Sequence, residues 1–267
     1  MLRSIQQLEQ FTIGAGDSTI GYIKDFLFDQ QAWVVRYLVV DVGVWLTNRK
    51  VLISPFSIGA PDWDGKVFPV SISKQQIKTS PPIDTHQPIS RQDELRHTGY
   101  YGYPSYWGGG DLWGEDYYPS LMLGRADHAG RRRDGVSESN CAAETNNDGD
   151  IYLHGCKAVQ QFRIQGGEGD FGRIQGFLVD DECWAIRYLI VNYHGWAGGQ
   201  PTLLAPAWID TFNRADGLIS TDLTRQALQD APRYDATAPL LRDQEIGIYA
   251  HHGRRPYWSN PGQSAVA

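Results

Sequence analysis

Arginine inside an apolar run is the first feature of this sequence that could do chemistry. Arg36 interrupts WVVRYLVV at 33–40, and Arg187 interrupts WAIRYLIV at 184–191. A guanidinium in such a setting either binds an anion or is neutralised by a nearby carboxylate, because Arg is rarely buried without a partner. Asp29 and Asp180 precede the two arginines across a tight turn. An ion pair, with the arginine stem packed along the apolar surface, is the simpler reading. Trp33 and Trp184 are either a stacking platform for a ligand or packing groups between two units. Large aromatics at paired positions favour packing.

Two aromatic segments are the other candidates. GYYGYPSYW at 99–107 carries Tyr100, Tyr101, Tyr103, Tyr106 and Trp107, and AHHGRRPYW at 250–258 carries His251, His252, Tyr257 and Trp258. These nine residues form a candidate interaction surface, since Tyr and Trp dominate recognition patches. They also suit a clasp that covers a neighbouring unit, and the clasp is favoured because so much exposed apolar surface is unusual. Stacking on nucleic acid needs interleaved basic residues, and Arg254 and Arg255 supply them in the second segment alone.

Other chemistries find little purchase. His251 and His252, as neighbours on a strand, would point opposite ways and seldom chelate together. The stretch 144–150, ETNNDGD, has Glu144 where a calcium loop wants Asp and Gly155 where it wants a bidentate Glu. Cys141, Cys156 and Cys183 lack CxxC spacing and are too few and odd in number for a disulfide framework. Cys183 reads as a small core residue. Gly108-Gly109-Gly110 is not followed by the Lys-Ser/Thr of a phosphate loop, and no nucleophile elbow, dinucleotide fingerprint or HExxH is present. No catalytic residue, metal site or cofactor is expected.

The elements that position these residues come as a duplication. Residues 21–41 and 172–192 match at an offset of 151 with 10 of 21 positions identical. Extended without a gap, 1–107 and 152–258 share 28 of 107 positions, among them Trp45/Trp196, Pro55/Pro206, Asp84/Asp235, Pro88/Pro239, Arg91/Arg242, Glu94/Glu245 and Tyr106/Tyr257. The expected organisation is a first unit at 1–107, a linker rich in Gly, Asp and Asn at 108–151, a second unit at 152–258 and a tail at 259–267. The linker carries 4 basic and 9 acidic residues, against 10 and 10 in the first unit and 10 and 12 in the second. It therefore holds most of the chain's −7 charge and reads as a solvated connector, its Arg131-Arg132-Arg133 included.

Each unit reads as short strands with helical trimmings. A helical turn over 2–10 leads to strands at 11–13, 21–29, 33–42, 51–53 and 67–72, separated by turns. Ser73 and Thr224 should cap short helices that Pro81 and Pro232 stop. Second short helices are expected at 91–96 and 242–246. The fold class is mainly β, with two small barrels in tandem.

The pattern GxIxDFLxD, WxVRYLVVD, a Trp-containing loop and VLISP resembles the PRC-barrel family. The first unit carries it in Gly21, Asp25, Phe26, Leu27, Asp29, Arg36, Tyr37, Leu38, Val39, Val40, Leu52 and Pro55. The second carries it in Gly172, Phe177, Leu178, Asp180, Arg187, Tyr188, Leu189, Val191, Leu203 and Pro206, with Gly176 in place of the aspartate. The same pattern resembles the cytoplasmic domain of the photosynthetic reaction centre H subunit and the C-terminal domain of RimM-type ribosome maturation factors. It covers roughly 70 residues per unit and specifies packing more than chemistry. The resemblance implies a binding or assembly module without catalysis.

Charge and composition narrow the partners. A mildly acidic surface does not suit general nucleic-acid binding. MLRSIQQLEQ has no apolar signal core, and the most apolar window, 33–46, is too short for a span. A cytoplasmic module with protein partners and self-association is expected. The alternatives are a peripheral partner of a membrane electron-transfer or photosynthetic complex, with peripheral membrane association, and a ribosome- or RNA-associated factor.

Overall fold

A computed structural model describes residues 1–16, 18–43, 49–81, 89–107, 111–114, 119, 153–167, 169–193 and 201–259. Trp45, Asp84, Pro88, Trp196, Arg131-Arg132-Arg133, the 144–150 stretch and the tail beyond Ser259 lie outside the described residues.

The first repeat runs β1 (Leu2–Ser4), α1 (Ile5–Leu8), β2 (Thr12–Ala15), β3 (Ser18–Asp29), β4 (Val34–Asp41), β5 (Lys50–Ile53), β6 (Val67–Pro69), α2 (Lys74–Thr79) and α3 (Arg91–Tyr101). The second runs β7 (Leu153–Gly155), α4 (Cys156–Val159), β8 (Arg163–Gly166), β9 (Gly169–Asp180), β10 (Ile186–Tyr193), β11 (Thr202–Leu204), β12 (Ile209–Asn213), β13 (Leu218–Thr221), α5 (Arg225–Gln229) and α6 (Arg242–His251). The protein is mainly β, built on two curled, barrel-like sheets. One has the order β5-β4-β3-β2-β6, the other β11-β10-β9-β8-β13-β12. In each, one parallel pair (β2 with β6, β8 with β13) folds the sheet back on itself among otherwise antiparallel neighbours.

The long strands are the spines. β3 pairs with β2 along its first half and β4 along its second, and register shifts after Ile23 and Leu27 bend it between the two. Gly21 sits where the bend brings strands closest. A Cβ there would lie 2.2 Å from the Asp41 carbonyl oxygen, and one at Gly172 equally close to that of Asn192. The apolar run of β4 on both sides of Arg36 is explained by burial on both faces. Leu38 and Val40 face the main core, while Tyr37 and Val39 face a smaller cluster with Leu27, Leu52, Ile89 and Leu153.

The first strand of each repeat belongs to the other repeat's sheet. β1 pairs with β9, setting Leu2 opposite Asp180 and Ser4 opposite Leu178. β7 pairs with β3, setting Leu153 opposite Asp29 and Gly155 opposite Leu27. Subtracting the repeat offset turns one set of pairings into the other, so the exchange is reciprocal. Its axis passes beside Val34 and Ala185, which bridge one another. There the Val35 amide donates to the Trp184 carbonyl at 2.9 Å and the Ile186 amide to the Trp33 carbonyl at 2.7 Å. The expected helical turn at 2–10 is thus a strand followed by one turn of helix. Local periodicity does not show a strand whose partner lies more than 170 residues away.

The helices after the barrel also differ from expectation. Ser73 and Thr224 do cap α2 and α5, accepting from the amides of Gln76 and Ala227. However, α3 and α6 extend well past 96 and 246 into the aromatic segments. They stop at Gly102 and just before Gly253, both left-handed (φ 71° and 61°). No helix among the described residues is long and apolar enough to cross a membrane.

Candidate functional site

The arginines of β4 and β10 anchor a network repeated in both halves. Arg36 is buried, and its Nη2 donates to Asp29 Oδ2 at 3.1 Å. Asp29 is held by its turn, where its other oxygen accepts from the Gln31 amide at 2.8 Å. Tyr106 covers the guanidinium face, with its ring centroid 3.9 Å from the central carbon. The Tyr106 hydroxyl donates to Glu94 on α3, and Arg91 donates to Glu94 at 2.8 Å and to the Tyr106 oxygen at 3.1 Å. Trp107 lies beneath Arg91 at 4.2 Å.

The second half repeats each step. Arg187 donates to Asp180 at 3.3 Å, and Tyr257 covers it at 4.0 Å. The Tyr257 hydroxyl donates to Glu245 at 3.1 Å, and Arg242 donates to Glu245 and Tyr257 at 2.9 and 3.1 Å, over Trp258 at 4.2 Å. The helix spacing explains the Arg–Glu pairs, which are three residues apart on one face and in the first turn, where negative charge is favoured. Burial outweighs the neighbouring cations and pushes Glu94 up to about 7; Glu245 is raised for the same reason.

The aromatic segments therefore fold back on their own repeat. Tyr106 is buried; Tyr101, Tyr103, Trp107, Tyr257 and Trp258 pack partly buried against the core. Tyr101 stacks on Tyr103 with centroids 5.3 Å apart, and Tyr103 hydrogen-bonds Ser57. Tyr100 stays 39% exposed and donates to the Gln76 carbonyl at 2.8 Å. His251 is exposed beside the Ala227 carbonyl, 2.8 Å away, and His252 packs on Trp208 at 4.7 Å. The two histidines end a helix rather than lie on a strand, so their rings come within 4.7 Å of each other. No group of three His, Cys, Asp or Glu side chains able to hold a metal occurs among the described residues.

Trp33 and Trp184 follow the turns in the left-handed region (φ 54° and 61°) and are buried. Each reaches across the axis. Trp33 packs on Phe212 of the second repeat at 5.9 Å, and Trp184 on Phe68 of the first at 5.8 Å.

Between the halves lies a cleft of about 750 Å³. Its walls include Trp33, Arg36 and Tyr106 from one side and Arg187, Ala207 and Tyr257 from the other. The volume falls within the range of small-molecule sites. Guanidinium edges and tyrosine faces suit carbonyl groups and planar rings.

Three contributors escaped the sequence reading. The Arg91–Glu94 and Arg242–Glu245 pairs were visible as identities between the repeats, but nothing marked them as partners of Tyr106 and Tyr257. The third is in the segment read as a solvated linker. Leu112 and Trp113 are buried, Trp113 fully. The Leu112 carbonyl accepts from Arg36, and Trp113 Nε1 donates to the Cys183 carbonyl at 2.7 Å. A tryptophan in a Gly/Asp-rich stretch was the one available signal.

No family model matches this chain. A stretch of 65 residues is 35% identical to an uncharacterized protein of Deinococcus radiodurans, covering 24% of this chain and 23% of that protein. The similarity spans less than a quarter of either.

Proposed function

We propose that this chain is a cytoplasmic, non-enzymatic binding or assembly module built from two PRC-type barrels, acting through protein partners and self-association. The observation that carries this is the reciprocal exchange of β1 and β7, which joins the barrels into one body with a composite cleft on their shared axis. A fixed pair of barrels presents recognition groups from both repeats in a set geometry, and pre-organisation of that kind lowers the cost of binding. The family pattern supports the same reading, because its residues are mainly apolar packing positions together with the Asp–Arg pair that orders the cleft wall.

Affinity purification of the full chain from its native cell, with mass spectrometry of what co-purifies, tests the proposal. A defined protein recovered at near-stoichiometric amount is expected. Recovery of the bait alone, with a 30.0 kDa monomer at every concentration in solution, would overturn it.

A further inference from the structure

The helices α3 and α6 each bury one face and expose the other. Glu94, His97 and Thr98 point inward from α3, as Glu245, Ile248 and Tyr249 do from α6. On the outer faces stand Leu95 and Ile246, equivalent at the repeat offset of 151 and 43% and 49% exposed. One exposed aliphatic needs no explanation, but large aliphatics exposed at the same helix position in both halves form a repeated feature. One turn further on, each outer face carries a small exposed residue, Gly99 or Ala250. A Cβ built at Gly99, or at Gly247 on α6, would meet nothing within 4 Å. A large side chain beside a small one makes a ridge and a groove, the relief by which helices pack against each other.

The two outer faces differ in charge. α3 carries Arg96 where α6 has Gly247, and α6 carries Asp243 where α3 has Gln92. Arg96 is 61% exposed and pairs with Asp93 of its own helix at 3.4 Å, an exposed contact of little worth. Asp243 is exposed and makes no ion pair among the described residues. Setting α3 on α3 would oppose two arginines, and setting α6 on α6 would oppose two aspartates. Setting α3 on α6 brings opposite charges together. In an antiparallel pair, which the helix dipoles favour, placing Leu95 beside Ile246 leaves positions 96 and 243 only about 3 Å apart along the axis.

We propose that α3 of one copy of this chain docks antiparallel on α6 of a second copy, with Leu95 beside Ile246 and Arg96 paired to Asp243. Each copy carries one face of each kind, so the contact is returned in a closed dimer or passed on head to tail. This rests on the module reading above and assigns its self-association to a surface.

The test is sedimentation velocity of the full chain from micromolar to sub-millimolar concentration at low ionic strength. Reversible association above the 30.0 kDa monomer is expected. Arg96→Asp and Asp243→Arg should each weaken it at least tenfold, with unchanged circular dichroism. An Arg96→Asp copy is acidic on both faces and an Asp243→Arg copy basic on both, so each repels itself and attracts the other. An equimolar mixture of the two variants should therefore associate as wild type does. A monomer at every concentration, association indifferent to both reversals, or a mixture no better than its components would overturn the proposal. A different protein captured by monomeric wild type and lost with either reversal would assign the faces to that protein and overturn it likewise. The two readings fail separately. A native partner recovered by a chain that stays monomeric removes this contact and keeps the module, whereas a monomer that recovers no partner removes both.

Discussion

The first repeat closes its arginine network with a tryptophan from the insert, whereas among the described residues the arginine of the second repeat is covered by Tyr257 without an indole. Asp29–Arg36–Tyr106–Glu94 and Asp180–Arg187–Tyr257–Glu245 agree within a few tenths of an ångström at most steps. The difference lies in what covers them. The repeats share the scaffold that fixes the arginine and differ beside it, where Phe56 of the first is matched by Ala207 of the second.

The sharpest way to break this comparison is to empty the filled socket. Trp113→Ala removes a fully buried indole and its hydrogen bond to Cys183, and should cost about 3–5 kcal/mol in urea unfolding. The mirror change, Ala207→Phe, adds a ring at an exposed position and should stay within about 0.5 kcal/mol. Similar costs for the two would mean that the halves do not differ as described.

Where the halves are alike, equal effects are expected. Gly21→Ala and Gly172→Ala each set a methyl 2.2 Å from a facing carbonyl and should each cost about 1–3 kcal/mol, measured the same way. A smaller effect follows from Asp25, which is matched by Gly176 in the second repeat. Asp25 accepts from the Lys157 amide at the start of α4 at 3.1 Å, an N-cap supplied from the other repeat. In the second repeat Gly176 makes way for Gln6, which donates instead to the Gln175 carbonyl at 2.9 Å. Asp25→Ala should cost about 1 kcal/mol, and the thermal midpoint should fall accordingly. An unchanged midpoint would show that the cap is idle.

These contacts show what a sequence can and cannot disclose. The strands, Ser73 and Thr224, and the Asp29–Arg36 and Asp180–Arg187 pairs follow from periodicity, composition and short separations, so they were legible. The strand exchange, the Asp25 cap and the Trp113 socket join residues far apart along the chain, and local pattern carries no record of them. The aromatic segments were noticed for their composition. Their direction, inward onto Arg36 and Arg187, depends on α3 and α6 running past 96 and 246.

The finest distinction is in pH response. Burial lowers His97 to about 4, whereas the matching residue in the second repeat is Ile248, which does not titrate. A histidine with a depressed folded value stabilises fully above its unfolded value near 6.5, and that stability is lost as pH falls toward 4. His154 and His252, also lowered to about 4 by burial, act in the same sense. Glu94, raised to about 7, has the opposite sign: its contribution is present below about 4.5 and lost as pH rises through 7. His97→Ile should therefore shrink the drop in urea midpoint between pH 7 and pH 5. A drop as large as in wild type would exclude His97 as a source of acid sensitivity.

The reciprocal exchange is the claim on which the rest depends, and amide hydrogen exchange tests it directly. The amides of Val35 and Ile186 bond across the axis to Trp184 and Trp33. Both should be protected as strongly as the interiors of β4 and β10, and both should lose protection together when Gly172→Ala weakens the second repeat alone. If Val35 keeps its full protection while the second repeat opens, the two barrels are independent and the shared cleft has no fixed geometry.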